Sequence, residues 1–252
     1  MTRVLAIANQ KGGVAKTTTT HALGAALAER GERVLLVDLD PQACLTFSAG
    51  LVPDELDASL HDVFVHKTPA AEIRVEIGER LMLLPSSIDL AGAEVHLMSR
   101  TGREYVLRKA LGELSADHDI VLVDCPPSLG ILTINGLTAA DEVVIPLQCE
   151  TLSQRGVGQL LETIADVRDY TNPDLTVRGV VATMFDARTN LARDVIASIG
   201  QTYDLLVLDP PIPKSVKVAE APGTGRSILD HARRSKPAIA YRELAGTLSR
   251  TA

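Results

Sequence analysis

Residues 3–20 read RVLAIANQKGGVAKTTTT, and the order of residue types here sets the architecture. RVLAIAN (3–9) is an unbroken run led by apolar residues, the pattern of a strand covered on both faces. It runs into a turn containing Gly12 and Gly13, and a helical pattern starts near Lys16. Such a strand-to-helix turn presents free backbone N–H groups and the positive end of a helix, which together bind phosphate. On this reading Gly12 and Gly13 let the backbone curl round the anion, Lys16 reaches the terminal phosphates, and the Thr17 hydroxyl ligates Mg²⁺. The strict spacing GxxxxGK[ST] is not met, because Gln10 and Ala15 stand where its glycines belong. A tight connection that binds nothing has the same local appearance. Lys11 adds a question, since a phosphate loop needs only one lysine and Lys16 already supplies it.

Working outward, similar apolar runs recur at RVLLVDLD (33–40), LMLLP (81–85), DIVLVD (119–124), EVVIPLQ (142–148) and VRGVVATMF (177–185). Helical patterns lie between and after them, at Thr17–Arg30, Glu104–Leu114, Gln154–Tyr170, Leu191–Gln201 and Pro237–Leu248. This alternation predicts an α/β fold: a doubly wound, mostly parallel sheet with helices on both faces, one domain over residues 1–252, and ligands at the carboxyl ends of the strands. The Pro- and Gly-rich segment Pro210–Gly225 reads as an extended loop, and a loop of that length in a compact domain points to function. With 252 residues, 46% of them hydrophobic, the chain can bury a full core. No apolar run approaches the roughly 18 residues of a membrane span, and the N-terminus has no signal-peptide regions, so a soluble cytoplasmic protein is expected. Cys44, Cys125 and Cys149 are too far apart for a disulfide framework or a CxxC site and read as small apolar residues.

Two further runs end in carboxylates. DIVLVDCPPS places Asp124 where a phosphate-loop site needs an acid to hold magnesium, usually through water. RVLLVDLDPQ ends in Asp38 and Asp40; the more distal Asp40 is suited to orient an attacking water, whereas Asp38 reads as a strand-end residue that bonds loop backbone or supports the metal shell. Charge is uneven: the net is -7, but residues 1–177 carry 14 basic and 25 acidic side chains whereas residues 178–252 carry 11 basic and 7 acidic. The C-terminal third therefore offers a positive face on an acidic protein.

KGGVAKTT, VDLDPQ and VDCPPS, with IDLAGAE (88–94), TMFDARTNL (183–191) and PIPKSVKVAEAP (211–222), resemble in order the ParA/Soj family of deviant Walker A (P-loop) partition ATPases. The resemblance implies ATP and Mg²⁺ as cofactors. It implies a nucleotide site made of Lys11, Gly12, Gly13, Val14, Ala15, Lys16, Thr17 and Thr18, with Pro213 and Ser215 beside the adenine and ribose. Relatives commonly carry Asn where this chain has Ser215, which favours a backbone contact to the base there. Lys11, Lys16 and Asp40 take catalytic roles, and Thr17, Asp40 and Asp124 hold the metal. Lys11 is implied to cross a face-to-face homodimer to the partner's ATP, making the dimer ATP-dependent; binding phosphate in its own subunit is the plainer alternative. In the ATP state the family binds double-stranded DNA without sequence preference, here through Arg188, Lys214 and Lys217, with Arg233, Arg234 and Lys236 as an extension or a solvated helix start. With 3% aromatic residues, duplex phosphates are a better target than stacked bases. The family hydrolyses ATP slowly, is stimulated by a ParB-like partner, and acts at the nucleoid in partitioning chromosomes, plasmids or other cargo. The first strand starts two residues into the chain, so no N-terminal helix-turn-helix is expected. A MinD-like membrane-cycling ATPase is the main rival, but the weak apolar face of the last helix (Ile239, Leu244, Leu248) reads as packed on its own sheet. An iron–sulfur reductase lacks matching cysteine motifs, and nothing identifies the acceptor pocket of a metabolic ligase.

Overall fold

The computed structural model describes residues 2–150 and 153–249. Its strands are β1 (Arg3–Ile7), β2 (Val34–Asp38), β3 (Val75–Gly78), β4 (Leu81–Leu84), β5 (Ile120–Asp124), β6 (Glu142–Gln148), β7 (Thr176–Thr183) and β8 (Val207–Leu208). They form one sheet in the order β3-β4-β2-β5-β1-β6-β7-β8. Every pairing is parallel except β3 with β4. Strand order reverses at β1, whose neighbours β5 and β6 diverge along the chain, and a parallel sheet opens its ligand crevice at such a switch point.

The first half of the chain contributes helices α1 (Lys16–Glu29), α2 (Cys44–Ser48), α3 (Leu60–Val65), α4 (Leu90–Leu97) and α5 (Val106–Gly112). The second contributes α6 (Ile131–Ala139), α7 (Ser153–Tyr170), α8 (Asn190–Tyr203), α9 (Val216–Glu220), α10 (Ile228–His231) and α11 (Lys236–Ser249). They cover both faces. Along β1 the side chains alternate, with Leu5 and Ile7 in the core under α1 and α11 and Ala6 in the core under α3 to α8. Burial on two faces is why the strands read as unbroken apolar runs.

All six expected strands and five expected helices are present, with ends shifted by a few residues. Strands β3 and β8 and six short helices were not foreseen. The segment 210–225 is not an extended loop: Ser215 is extended, then VKVAE forms α9 and Ala221–Thr224 a 3-10 turn. Valine, lysine, alanine and glutamate tolerate a helix, and Pro222 sits in the first turn of the 3-10 segment, where its missing N–H costs nothing. Helix α6 was obscured by Gly136, which is close packing rather than a break: a Cβ there would lie 2.9 Å from Cys125 Sγ. Gly24 does the same for α1, where a Cβ would lie 2.5 Å from Leu36 Cδ2, so the phosphate-loop helix sits close on β2.

Helix α11 supports α1 from behind. Tyr241, Leu244 and Leu248 are fully buried, and the Tyr241 hydroxyl lies 3.1 Å from Thr19 Oγ1. Ile239, expected on that packed face, is instead 47% exposed. Burial pushes the Tyr241 phenol up to about 12, so it stays neutral. Tyr241→Phe is expected to cost about 1 kcal/mol, because it strands the Thr19 hydroxyl while keeping the ring. Denaturant melts check this; an unchanged midpoint would mean that the pair contributes nothing.

Candidate functional site

Segment 8–15 leaves β1 at the sheet's switch point and enters α1. Asn9 holds it down: its Nδ2 donates to the Pro146 carbonyl at 2.8 Å and its Oδ1 accepts from the Lys11 N–H at 3.0 Å. From the other side the Thr183 hydroxyl donates to the Val14 carbonyl at 3.0 Å. Gly13 (φ 75) and Ala15 (φ 66) are both left-handed, and Ala15 caps α1 with no side-chain bond. A glycine is the natural occupant of the left-handed region, so the strict motif's second glycine is replaced here without losing the turn it serves. A Cβ on Gly12 or Gly13 would meet nothing within 4 Å, so the mouth of the loop is open.

The first turn of α1 contains no acidic residue and no side-chain cap. Its leading N–H groups have no intrahelical acceptor and face the open mouth, the arrangement that attracts an anion. Lys16 is only 7% exposed, and its Nζ donates to the Lys11 carbonyl at 3.2 Å. Burial lowers its pKa, against the opposing pull of Asp124, Cys125 and Asp40.

Two aspartates lie beneath. Parallel pairing of β2 with β5 sets Asp38 opposite Asp124, and both are fully buried. Asp38 Oδ2 accepts from the Thr46 N–H (2.8 Å) and hydroxyl (2.7 Å), and burial still pushes its pKa up to about 7. Asp38 thus ties β2 to α2, as expected of a supporting residue. Asp124 is pushed well above the carboxylate range, first by burial and then by Asp38's charge. Thr20 Oγ1 approaches Asp124 Oδ1 at 3.4 Å and Thr17 stabilises the same carboxylate, yet Oδ2 is buried with no hydrogen-bond partner. A buried, unsatisfied carboxylate oxygen beside a threonine hydroxyl and a lysine suits a hydrated divalent cation.

Asp40 stands half-buried at the rim. Its Oδ1 accepts from the Gln42 N–H at 2.9 Å, and its carbonyl from the Ser86 hydroxyl at 2.8 Å. Lys11 Nζ lies 2.9 Å from Glu150 Oε2 at the end of β6, an exposed ion pair. Of the residues named for the base, Pro213 is bridged in parallel by Phe185, and Ser215 is the N-cap of α9. Phe185 N–H donates to the Ile212 carbonyl, and Lys214 N–H to the Phe185 carbonyl. These bonds join the segment carrying Arg188 to the one carrying Lys214 and Lys217. Arg188 is 89% exposed and forked onto Asp186 (2.8 and 2.9 Å), while Lys217 pairs with Glu220 at 2.9 Å.

Sequence reasoning missed Asn9, Thr20, Thr46, Ser86, Glu150 and Thr183, the groups that hold the named ones in place. Only Thr20 had a visible cue, four residues after Lys16 and so on the same helix face. Among the described residues all three cysteines are free.

Residues 2–177 match the family model described as "AAA domain". The chain is 44% identical over 246 residues to the sporulation initiation inhibitor protein Soj of Bacillus subtilis (strain 168), covering 97% of each chain. It is 43% identical over 247 residues to the chromosome partitioning protein ParA of Caulobacter vibrioides (strain NA1000 / CB15N), covering 96% of this chain and 92% of the relative. Among solved structures, a Mycobacterium smegmatis protein described as cobyrinic acid a,c-diamide synthase with bound ADP and magnesium is 54% identical with TM-score 0.89, covering 98% of this chain and 94% of that one. Above 40% identity to Soj and ParA over nearly their full lengths, and with the loop, helix and paired aspartates just described, the chain belongs to the ParA/Soj family of deviant Walker A ATPases.

Proposed function

We propose that the chain is a partition ATPase, one P-loop domain over residues 1–252, that binds Mg-ATP, dimerises on it, binds duplex DNA in that state and hydrolyses ATP slowly. The observation that carries this reading is the convergence of an uncapped α1 N-terminus on Asp124, whose Oδ2 is buried without a partner. The N–H groups of residues 12–18 and the Lys16 ammonium would cradle the phosphates. Thr17 and Asp124, with Asp40 through water, would hold a magnesium ion, which when bound neutralises phosphate charge. Asp40 would orient the attacking water from the rim, and the backbone at Pro213 and Ser215 would border the base. Lys11, outside the phosphate cradle, would reach the partner's nucleotide across the dimer. ADP and magnesium in the similar M. smegmatis structure support the cofactor choice.

For DNA, the hydrogen-bonded join at Phe185 supports one edge carrying Arg188, Lys214 and Lys217. Two copies in a dimer would double the contacts, so affinity would follow nucleotide state. Duplex phosphate must displace Asp186 and Glu220 from their cations, an exchange made easy by the exposure of both pairs. A ParB-like stimulating partner and a cytoplasmic, nucleoid-bound location complete the proposal. Light scattering with no nucleotide, ADP and ATP tests the switch; one mass in all three would sink it. Arg188→Glu is expected to weaken ATP-state DNA binding and, with one arginine lost from each subunit of the dimer, to lower the slope of log affinity against log salt by about 2. A gel-shift titration at two salt concentrations measures both, and an unchanged affinity would remove Arg188 from the interface.

Two other readings fit less well. Among the described residues no helix is long and apolar enough to cross a membrane, and Tyr241, Leu244 and Leu248 of α11 are buried, leaving that side of the helix unavailable to a bilayer. Amide synthesis, suggested by the name of the M. smegmatis protein, would need a reactive thiolate if glutamine supplied the ammonia. Burial raises the pKa of Cys44, Cys125 and Cys149 alike, Cys149 to about 11, which leaves none of them poised as a nucleophile.

A further inference from the structure

We infer that α3 carries a second metal site, formed by His61, Asp62 and His66 and suited to zinc. One ligand atom from each of the three lies within 4.8 Å of the other two, and the imidazoles of His61 and His66 meet edge to face with centroids 5.5 Å apart. Leu60, Val63 and Phe64 bury the opposite side of the helix, so the three polar side chains share its outer surface.

The framework is fixed before any ion arrives. The Ser59 N–H donates to Asp62 Oδ2 at 2.9 Å, which orients the carboxylate and leaves its second oxygen for a ligand. The Ser59 hydroxyl in turn accepts from the His61 N–H and lies 3.1 Å from the Ser87 hydroxyl. The His66 N–H donates to the Asp62 carbonyl at 2.9 Å, and Arg100 caps the far end by donating to the Phe64 carbonyl at 2.8 Å. The first of these bonds holds the Asp62 carboxylate in place, and the others fix the backbone that carries the two imidazoles. In a tetrahedral zinc site, bonds of about 2.0–2.2 Å bring the ligands closer together than this. His66, on an exposed C-cap, has room to close that gap by side-chain rotation.

The donor set selects the ion. Two imidazole nitrogens and one carboxylate oxygen suit zinc and its borderline neighbours, whereas magnesium prefers an all-oxygen octahedron. Three protein ligands leave a fourth position for water or an incoming donor, so the ion would be exchangeable. The site shares no residue with the nucleotide cradle and does not depend on the ATPase reading.

The test is zinc uptake by the full-length protein, with millimolar Mg-ADP present, in competition with a fluorescent zinc indicator. The parent is expected to bind one equivalent more than the His61→Ala/His66→Ala double variant, and two histidine ring ¹⁵N signals should shift on saturation. Asp62→Asn, which keeps an oxygen for the Ser59 N–H, is expected to weaken zinc binding at least about tenfold with an unchanged melting temperature. Equal uptake by parent and double variant would overturn the proposal. Should the double variant fail to fold, the exposed single change His66→Gln makes the same comparison.

Discussion

Lys11→Ala is expected to bind Mg-ATP with near-parental affinity yet remain a monomer, losing ATP-dependent DNA binding and stimulated hydrolysis together. The structure shows why the loop would survive the change. Both bonds Lys11 makes within the phosphate turn use its backbone: its N–H donates to Asn9 Oδ1, and its carbonyl accepts from Lys16 Nζ. Its ammonium meets only Glu150 among these contacts, in an exposed pair whose loss costs little. Across a closed dimer the same ammonium would face a triphosphate in a desolvated interface, where removing one partner of a charge pair costs about 2–5 kcal/mol. A symmetric dimer loses two such pairs, so its dissociation constant should rise by at least about a thousandfold. Light scattering and nucleotide titration on one preparation separate the effects. A variant that loses nucleotide affinity but still dimerises would return Lys11 to its own subunit's phosphates. The companion change Glu150→Gln releases the lysine of each subunit from its resting partner and should tighten the dimer by up to about thirtyfold.

Asp40→Ala should keep both ATP and the dimer while turnover falls about 10²- to 10⁴-fold, the range of a lost general base, or about 3–5 kcal/mol of barrier. Truncation removes a single loop bond, from the Gln42 N–H. The turn itself is pinned through Asp40's backbone, whose carbonyl accepts from the Ser86 hydroxyl and the Ala43 N–H and whose own N–H meets Asp38 Oδ1. Single-turnover phosphate release, with bound ATP measured alongside, is the readout. Parental turnover would exclude Asp40 as the water-orienting residue.

The parts of this molecule that were legible in the sequence are those whose partners lie nearby in the chain or share one simple pattern. Strand, glycine turn and helix follow one another within residues 3–29, so the phosphate loop could be read directly, and apolar runs marked the central strands. The β3 strand, VEIG, escaped because it is short, partly exposed and paired antiparallel at the sheet edge. Glu150 lies 139 positions from Lys11, and Thr183 is 169 from Val14. Contacts at that separation are created by the strand order and leave no local trace. Gly136 misleads for another reason, since a residue chosen for helix–sheet clearance looks like a helix breaker.

The register that sets Asp38 against Asp124 has a consequence for the protein's persistence in the cell. Two neighbouring acids held away from water make the empty fold the costlier one to keep, and ligands that settle that charge stabilise the folded chain by mass action. Nucleotide-free molecules are then the ones that open first to a protease, so the abundance of the protein is expected to track the supply of its own fuel.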